Sequence, residues 1–178
     1  MVTIWNIVPF CANKRLGHIH NEFIKLIPEN DYVMINDPDV MMLHPHQMKW
    51  IEDILKVHGN DWDLFGCMTN RVGLEQQVVS TNMFEENRIN VHMMHAEAIY
   101  NVYKDEIEET DLIAGFCMIF KKSLWNKIKF EESIQFDIKF CNAIKKAGGK
   151  IGIMKGIYIF HQYRLGQEDP KNYKKHLL

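Results

Sequence analysis

Apolar residues in this chain fall into blocks whose spacing alternates between strand-like and helix-like. Val2 to Phe10 is a β-branched and aromatic run that meets Pro9, and it predicts a first strand. Cys11 to Arg15 is short and polar, a loop. Leu16, Ile19, Phe23, Leu26 and Ile27 then recur at helical spacing until Pro28 stops them. Asp31 to Asn36 is a continuous apolar run, the pattern of a strand buried on both faces, and Pro38 ends it. Pro45 opens a helix to about Val57 with Met48, Ile51, Ile54 and Leu55 inside, closed by Gly59 and Asn60. Trp62 to Met68 predicts a third strand and Thr69 to Ser80 a long polar loop. Ile89, Met93, Ala96, Ile99 or Tyr100, and Tyr103 mark a helix from about Glu85. Asp105 to Asp111 reads as an acidic connection, and Leu112 to Phe120 as a strand. A short helix follows from Ser123, a further one over Phe136 to Ala147 ends at Gly148-Gly149, and Lys150 to Phe160 gives one or two closing strands broken at Gly152 and Gly156.

Strand and helix alternate over the whole length. The expected fold is α/β, a mixed, mostly parallel central sheet flanked by helices, with ligands outside the carboxyl ends of the strands. At 178 residues the chain suits a single compact domain. Its parts are a first half over 1–60, a second over 61–165 and a peripheral tail over 166–178. A hydrophobic share of 47% and a net charge of -2 fit a folded chain without the field needed to grip a nucleic-acid backbone. No apolar run reaches the roughly 18–20 residues of a membrane span, and the start lacks a signal peptide's basic region. Cys67, Cys117 and Cys141 lie in apolar runs and none of the four cysteines forms C-x-x-C, which predicts reduced core thiols and a cytoplasmic location.

Three local patterns carry chemistry. In Asp37-Pro38-Asp39 two carboxylates flank one residue at the end of an apolar strand, where both can reach one small volume. Their repulsion is relieved by a divalent cation, and hard oxygen ligands suit Mg²⁺ or Mn²⁺; the same tripeptide also reads as a solvated turn. Asn13-Lys14-Arg15-Leu16-Gly17, with Asn21 beyond it, places donors, charge and a glycine at a helix start, an arrangement that receives anions or merely caps a surface helix. His161 closes the last strand-like run, ahead of Arg164, and offers either an imidazole ligand or a hydrogen-bonded surface side chain.

The ordered set resembles the GT-A-type nucleotide-sugar glycosyltransferases, most of all the family 2 branch, in a short form. The matching segments are Leu16 to Asn21, Tyr32 to Asp39, Ile113-Ala114-Gly115-Phe116-Cys117, Phe136 to Cys141 and the strand ending at His161. The resemblance covers about Ile7 to Arg164. It implies a GT-A architecture and metal-dependent, inverting transfer of a hexose-like sugar from a nucleotide diphosphate sugar, a UDP-sugar first of all, to a hydroxyl of a glycan or other acceptor. It places Asp39 on Mn²⁺ or Mg²⁺, with Asp37 sharing the metal or meeting the ribose, and His161 as a further metal ligand. Asn13, Lys14, Gly17 and Asn21 would line the donor pocket. By the resemblance Gly115 would lie under the acceptor, whereas Thr69, Asn70 and Arg71, which follow a strand at the same predicted edge as Asp39, read either as an acceptor or donor loop with Arg71 near phosphate or as a plain polar loop. Asp137 would be the base that takes the acceptor proton.

The chain departs from the pattern twice. Phe136 and Lys139 stand where the family carries further acids, and only Cys11 and Ala12 separate Phe10 from Asn13, where members have an extra strand–helix unit. A non-catalytic module binding a sugar nucleotide or glycan and a subunit completed by a partner chain are therefore alternatives; a homo-oligomer is open as an assembly. His92-x-x-His95 has one-turn spacing open to zinc but reads better as a half-buried helix face. His18, His20, His44 and His46 read as helix-start and surface residues, and the paired methionines as core filler.

Overall fold

The computed structural model describes residues 2–8, 15–86 and 88–162. Seven strands, β1 (Ile4–Ile7), β2 (Tyr32–Asn36), β3 (Val40–Met41), β4 (Leu64–Thr69), β5 (Ile107–Thr110), β6 (Cys117–Lys121) and β7 (Ile151–His161), form one sheet. Its order is β1-β2-β6-β4-β7-β3, with β5 also on β7. Helices α1 (Leu16–Ile24), α2 (Gln47–His58), α3 (Ile89–Tyr103), α4 (Lys122–Lys127) and α5 (Phe136–Lys146) complete the α/β fold.

The sheet is mixed, but not mostly parallel by its pairings. β1 with β2 and β4 with β7 are parallel, whereas β6 runs antiparallel between β2 and β4, and β3 and β5 run antiparallel to β7. The expected acidic connection supplies the edge strand β5. Its Ile107 packs inward while Glu108 meets Lys155 at 2.6 Å, so an acidic edge is held by a cation from β7. The pair Val40–Met41 is too short to register as a strand in the sequence.

All five β2 residues are buried, and their alternation feeds two cores. Val33 and Ile35 join Phe120, Phe130, Phe140 and Ile144 beneath α1, α4 and α5. Tyr32 and Met34 join Ile51, Ile54, Leu55 and Phe65 beneath α2. Two helix faces are turned from the expected stripe. On α1, Gly17, His20 and Ile24 are buried while Phe23 is exposed. On α3, His92 and Ala96 point inward and Ile89 and Met93 outward, because His92 finds the Tyr158 hydroxyl at 2.6 Å and the Glu86 carbonyl at 2.9 Å.

β7 is one strand, not two. Its pairing to β4 passes from Cys67↔Met154 to Met68↔Tyr158, so residues 155–157 form a bulge. Gly156 sits in it because a Cβ there would stand 2.0 Å from the Lys104 carbonyl oxygen. Before the bulge Ile151 and Ile153 enter the first core; Ile157, its last residue, and Ile159 beyond it enter the second. Cys67, Cys117 and Cys141 are buried free thiols. No helix among the described residues is long and apolar enough to cross a membrane.

Candidate metal centre

β2 ends at Asn36, and the backbone N–H of Asp37 still reaches across to the Phe116 carbonyl at 3.0 Å, which holds Asp37 beside the start of β6. The chain then turns at Pro38 and returns as β3, where Val40 pairs with His161 and the Gln162 N–H donates to the Asp39 carbonyl at 2.9 Å. This short pairing brings Asp39 to the end of β7. The nearest ligand atoms of Asp37, Asp39 and His161 consequently all lie within 4.8 Å of one another.

The electrostatics match the crowding. Burial, then the Asp39 charge, raises Asp37 to about 6; His161 opposes this and Asp137 adds to it. Burial works against Asp39 as well, but the hydrogen bond and charge of His161 outweigh it and hold that carboxyl below its ordinary value. The His161 ring stacks on Phe116 with centroids 5.2 Å apart. Its Nδ1 lies 2.9 Å from the Arg71 carbonyl, which can only accept, so Nδ1 carries the hydrogen. In the neutral ring Nε2 is then the lone-pair nitrogen, and it stands 3.4 Å from Asp39 Oδ1. Two acceptors facing each other call for a positive centre, a proton or a metal cation. Two carboxylates and an imidazole fixed in its ligating tautomer are a donor set that fits a divalent ion.

Asp137 belongs to the same neighbourhood. It lies in the first turn of α5, where Oδ2 accepts the Gly115 N–H and Oδ1 the Ile138 N–H, each at 2.9 Å. Gly115 precedes the Phe116 carbonyl that holds Asp37. The two departures from the family pattern have structural roles here: Phe136 is buried against His20 and Phe130, and Lys139 pairs with Glu131 at 2.7 Å on the surface.

Other expected site residues sit elsewhere. Gly17 does permit a close approach, but to the protein itself: a Cβ would stand 1.8 Å from the Glu131 carbonyl oxygen. The Asn21 amide donates to the Phe130 carbonyl at 2.8 Å and accepts from Trp125 Nε1 at 2.7 Å, so it ties α1 to α4 and the segment after it instead of presenting itself to a ligand. Thr69, Asn70 and Arg71 are buried, not displayed as an open loop. The Arg71 guanidinium lies over Phe84 at 4.4 Å and 3.6 Å from Glu85. Asn13, Lys14 and Arg164 fall outside the described residues.

Sequence reasoning missed two buried glutamines that brace this end of the sheet. Gln77 donates to the Cys67 carbonyl at 2.9 Å and accepts the Ala114 N–H at 2.7 Å, and Gln47 donates to the Tyr158 carbonyl. Nothing in sequence marks a glutamine as buried; the signal is only that strand backbone left open by a bulge must find partners. His92 and His95 are not a zinc pair in this arrangement, since both His92 nitrogens engage Tyr158 and Glu86. Comparison with protein-family models and with curated proteins found no match to this chain.

Proposed function

We propose that the protein is a metal-dependent glycosyltransferase that moves a sugar from a nucleotide diphosphate sugar to a hydroxyl acceptor with inversion. The observation that carries this reading is the convergence of Asp37, Asp39 and His161 at one strand end, with Asp137 close enough for its charge to bear on Asp37. Mn²⁺ or Mg²⁺ held by these three residues would supply charge neutralisation for a diphosphate leaving group. The carboxylates of Asp37 and Asp39 and the imidazole of His161 hold the donor end. Asp137, anchored through Gly115 and Ile138, keeps further lone pairs on both oxygens to accept a hydroxyl proton as the acceptor attacks. The order of the sheet, with β6 antiparallel between parallel strands, is compatible with the GT-A architecture that the sequence motifs resemble.

One observation favours a second reading. Both Asp137 oxygens already accept backbone N–H groups, the arrangement of a helix-start anchor as much as of a base. A non-catalytic module that binds a sugar nucleotide has this geometry too. The test is nucleoside-diphosphate release from a panel of nucleotide sugars with Mn²⁺ or Mg²⁺, for wild type and Asp137→Asn. The transferase reading expects metal-dependent release that falls at least about 100-fold in the variant, a general base being worth roughly 10²–10⁴. Tight donor binding with no release from any donor and acceptor supports the module instead, and the absence of both binding and release ends the transferase reading.

A further inference from the structure

His161 is the last residue of β7, where a strand normally loses its neighbours, yet its backbone is held on both sides. On one side β3 pairs with it through Val40. On the other, the Asn70 carboxamide takes the place of a strand: Oδ1 accepts the His161 N–H at 2.8 Å and Nδ2 donates to the His161 carbonyl at 3.1 Å. The Thr69 hydroxyl lies 3.2 Å from Asn70 Oδ1 and donates to it, which sets which end of the amide faces which group. The very next residue, Arg71, presents the carbonyl that receives Nδ1–H of the same histidine. One tripeptide thus fixes the position of the His161 backbone and the tautomer of its ring.

We propose that Asn70 is the positioning residue of this centre: it holds His161 so that Nε2, and not Nδ1, is delivered beside Asp39. This rests on the reading that Asp37, Asp39 and His161 bind a divalent cation. Sheet pairing alone does not require the contact, because β4 and β7 are already joined up to Thr69↔Ile159. Without Asn70, the carbonyl of Arg71 and the backbone of His161 are no longer held in register, and the ring loses the single orientation that suits a ligand. Groups that orient a metal-binding histidine in this way are typically worth about 10–100-fold in metal affinity.

The experiment measures Mn²⁺ binding by electron paramagnetic resonance and calorimetry in wild type, Asn70→Ala and Asn70→Asp. Asn70→Asp keeps the shape and the acceptor but removes the donor, and it serves if Asn70→Ala does not fold. Trp125→Phe, which removes a buried hydrogen bond of α4, controls for a general loss of stability. Ring-nitrogen NMR of His161 without metal provides a second readout. The expected result is Mn²⁺ affinity 10–100-fold lower in the Asn70 variants, unchanged in Trp125→Phe, with the wild-type Nδ1–H tautomer giving way to a mixture. Wild-type binding with unchanged affinity and unchanged tautomer in a folded Asn70 variant overturns the inference alone. A wild type that binds neither Mn²⁺ nor Mg²⁺ overturns the metal reading itself, and this inference with it.

Discussion

Among the described residues, the polar constellation at the α1 joint and the one at the strand ends differ in where their hydrogen bonds end. At the α1 joint, Gly17, His20 and Asn21 face the 125–136 segment: Asn21 is satisfied by Trp125 and Phe130, Gly17 abuts a carbonyl, and His20 lies among Phe130 and Phe136. At the strand ends, Asn70 and Arg71 also spend their groups on protein, but they spend them on His161, whose Nε2 is aimed at a carboxylate in a cluster with a second one. In the first constellation the Asn21 amide is closed by Trp125 and the Phe130 backbone, and His20 is enclosed by aromatic rings with its Nδ1 buried without a hydrogen-bond partner. The second directs acceptors at one another and so has a use for a cation. Residue type does not distinguish them, since each contains an asparagine and a histidine. The direction in which the lone pairs point does.

The sharpest break of this contrast is Asp39→Ala. Under the transferase reading it lowers metal-dependent turnover by about 1,000-fold or more, roughly 4 kcal/mol of barrier, while leaving the melting temperature in the absence of metal nearly intact. Steady-state release of nucleoside diphosphate checks it, and a variant as active as wild type would remove Asp39 from the chemistry. Next comes Gly17→Ala, which forces a methyl into the Glu131 carbonyl and should cost about 3 kcal/mol or more of stability. Urea unfolding measures this; a variant as stable as wild type would mean that α1 does not pack as described.

A pH series isolates the His20 environment. Burial, with the Leu16 backbone opposing, holds His20 down to about 4 from 6.5. The unfolded chain takes up this proton near pH 6.5 and the folded one does not, so stability present above 6.5 is lost as pH falls toward 4. His20→Phe should remove about 3 kcal/mol of that acid sensitivity, seen as a flatter melting temperature between pH 6.5 and 4. An unchanged slope would reassign the sensitivity to another group.

The smallest effect belongs to Asp37, and its sign is the reverse of the usual carboxylate. Its carboxyl is raised from 3.8 to about 6 in the fold, so the stability it contributes is present below pH 3.8 and is lost as pH rises through 6. Without metal, Asp37→Asn should therefore stabilise the protein at pH 8 by about 2 kcal/mol once solvent screening is allowed for, and do nothing at pH 3. With saturating Mn²⁺ the order reverses, because wild type gains from the ion and the variant gains less. Melting curves at the two pH values, with and without Mn²⁺, decide it; destabilisation at pH 8 in metal-free buffer would contradict the crowding.

Much of this was legible from residue pattern. The five-residue apolar run of β2, the Pro38 stop and the helix over 136–147 follow from periods and breakers alone, and the end of β2 places the Asp37–Asp39 pair. The acceptor-rich side of the centre was legible too, because two acids around a proline at a strand end have few places to go. What was not legible depends on contacts distant in sequence. Glu108 and Glu109 read as a connection until Lys155 and Lys145 are seen to meet them. Asn21 and Asn70 look alike in a sequence, and only the carbonyls opposite them decide that one pins a helix and the other a histidine. The inward turn of His92 likewise needs Tyr158, 66 positions away.

The bulge at residues 155–157 bears on how this centre could vary. Three is an odd number, so passing the bulge exchanges odd for even in the side-chain alternation of β7. His161 thereby shares a face with Ile157 and Ile159 and meets Phe116; with an even insertion the imidazole would face the opposite layer, away from Asp39. The length of that loop is thus under a parity rule. Two residues can be gained or lost there with the histidine still in place, and one cannot.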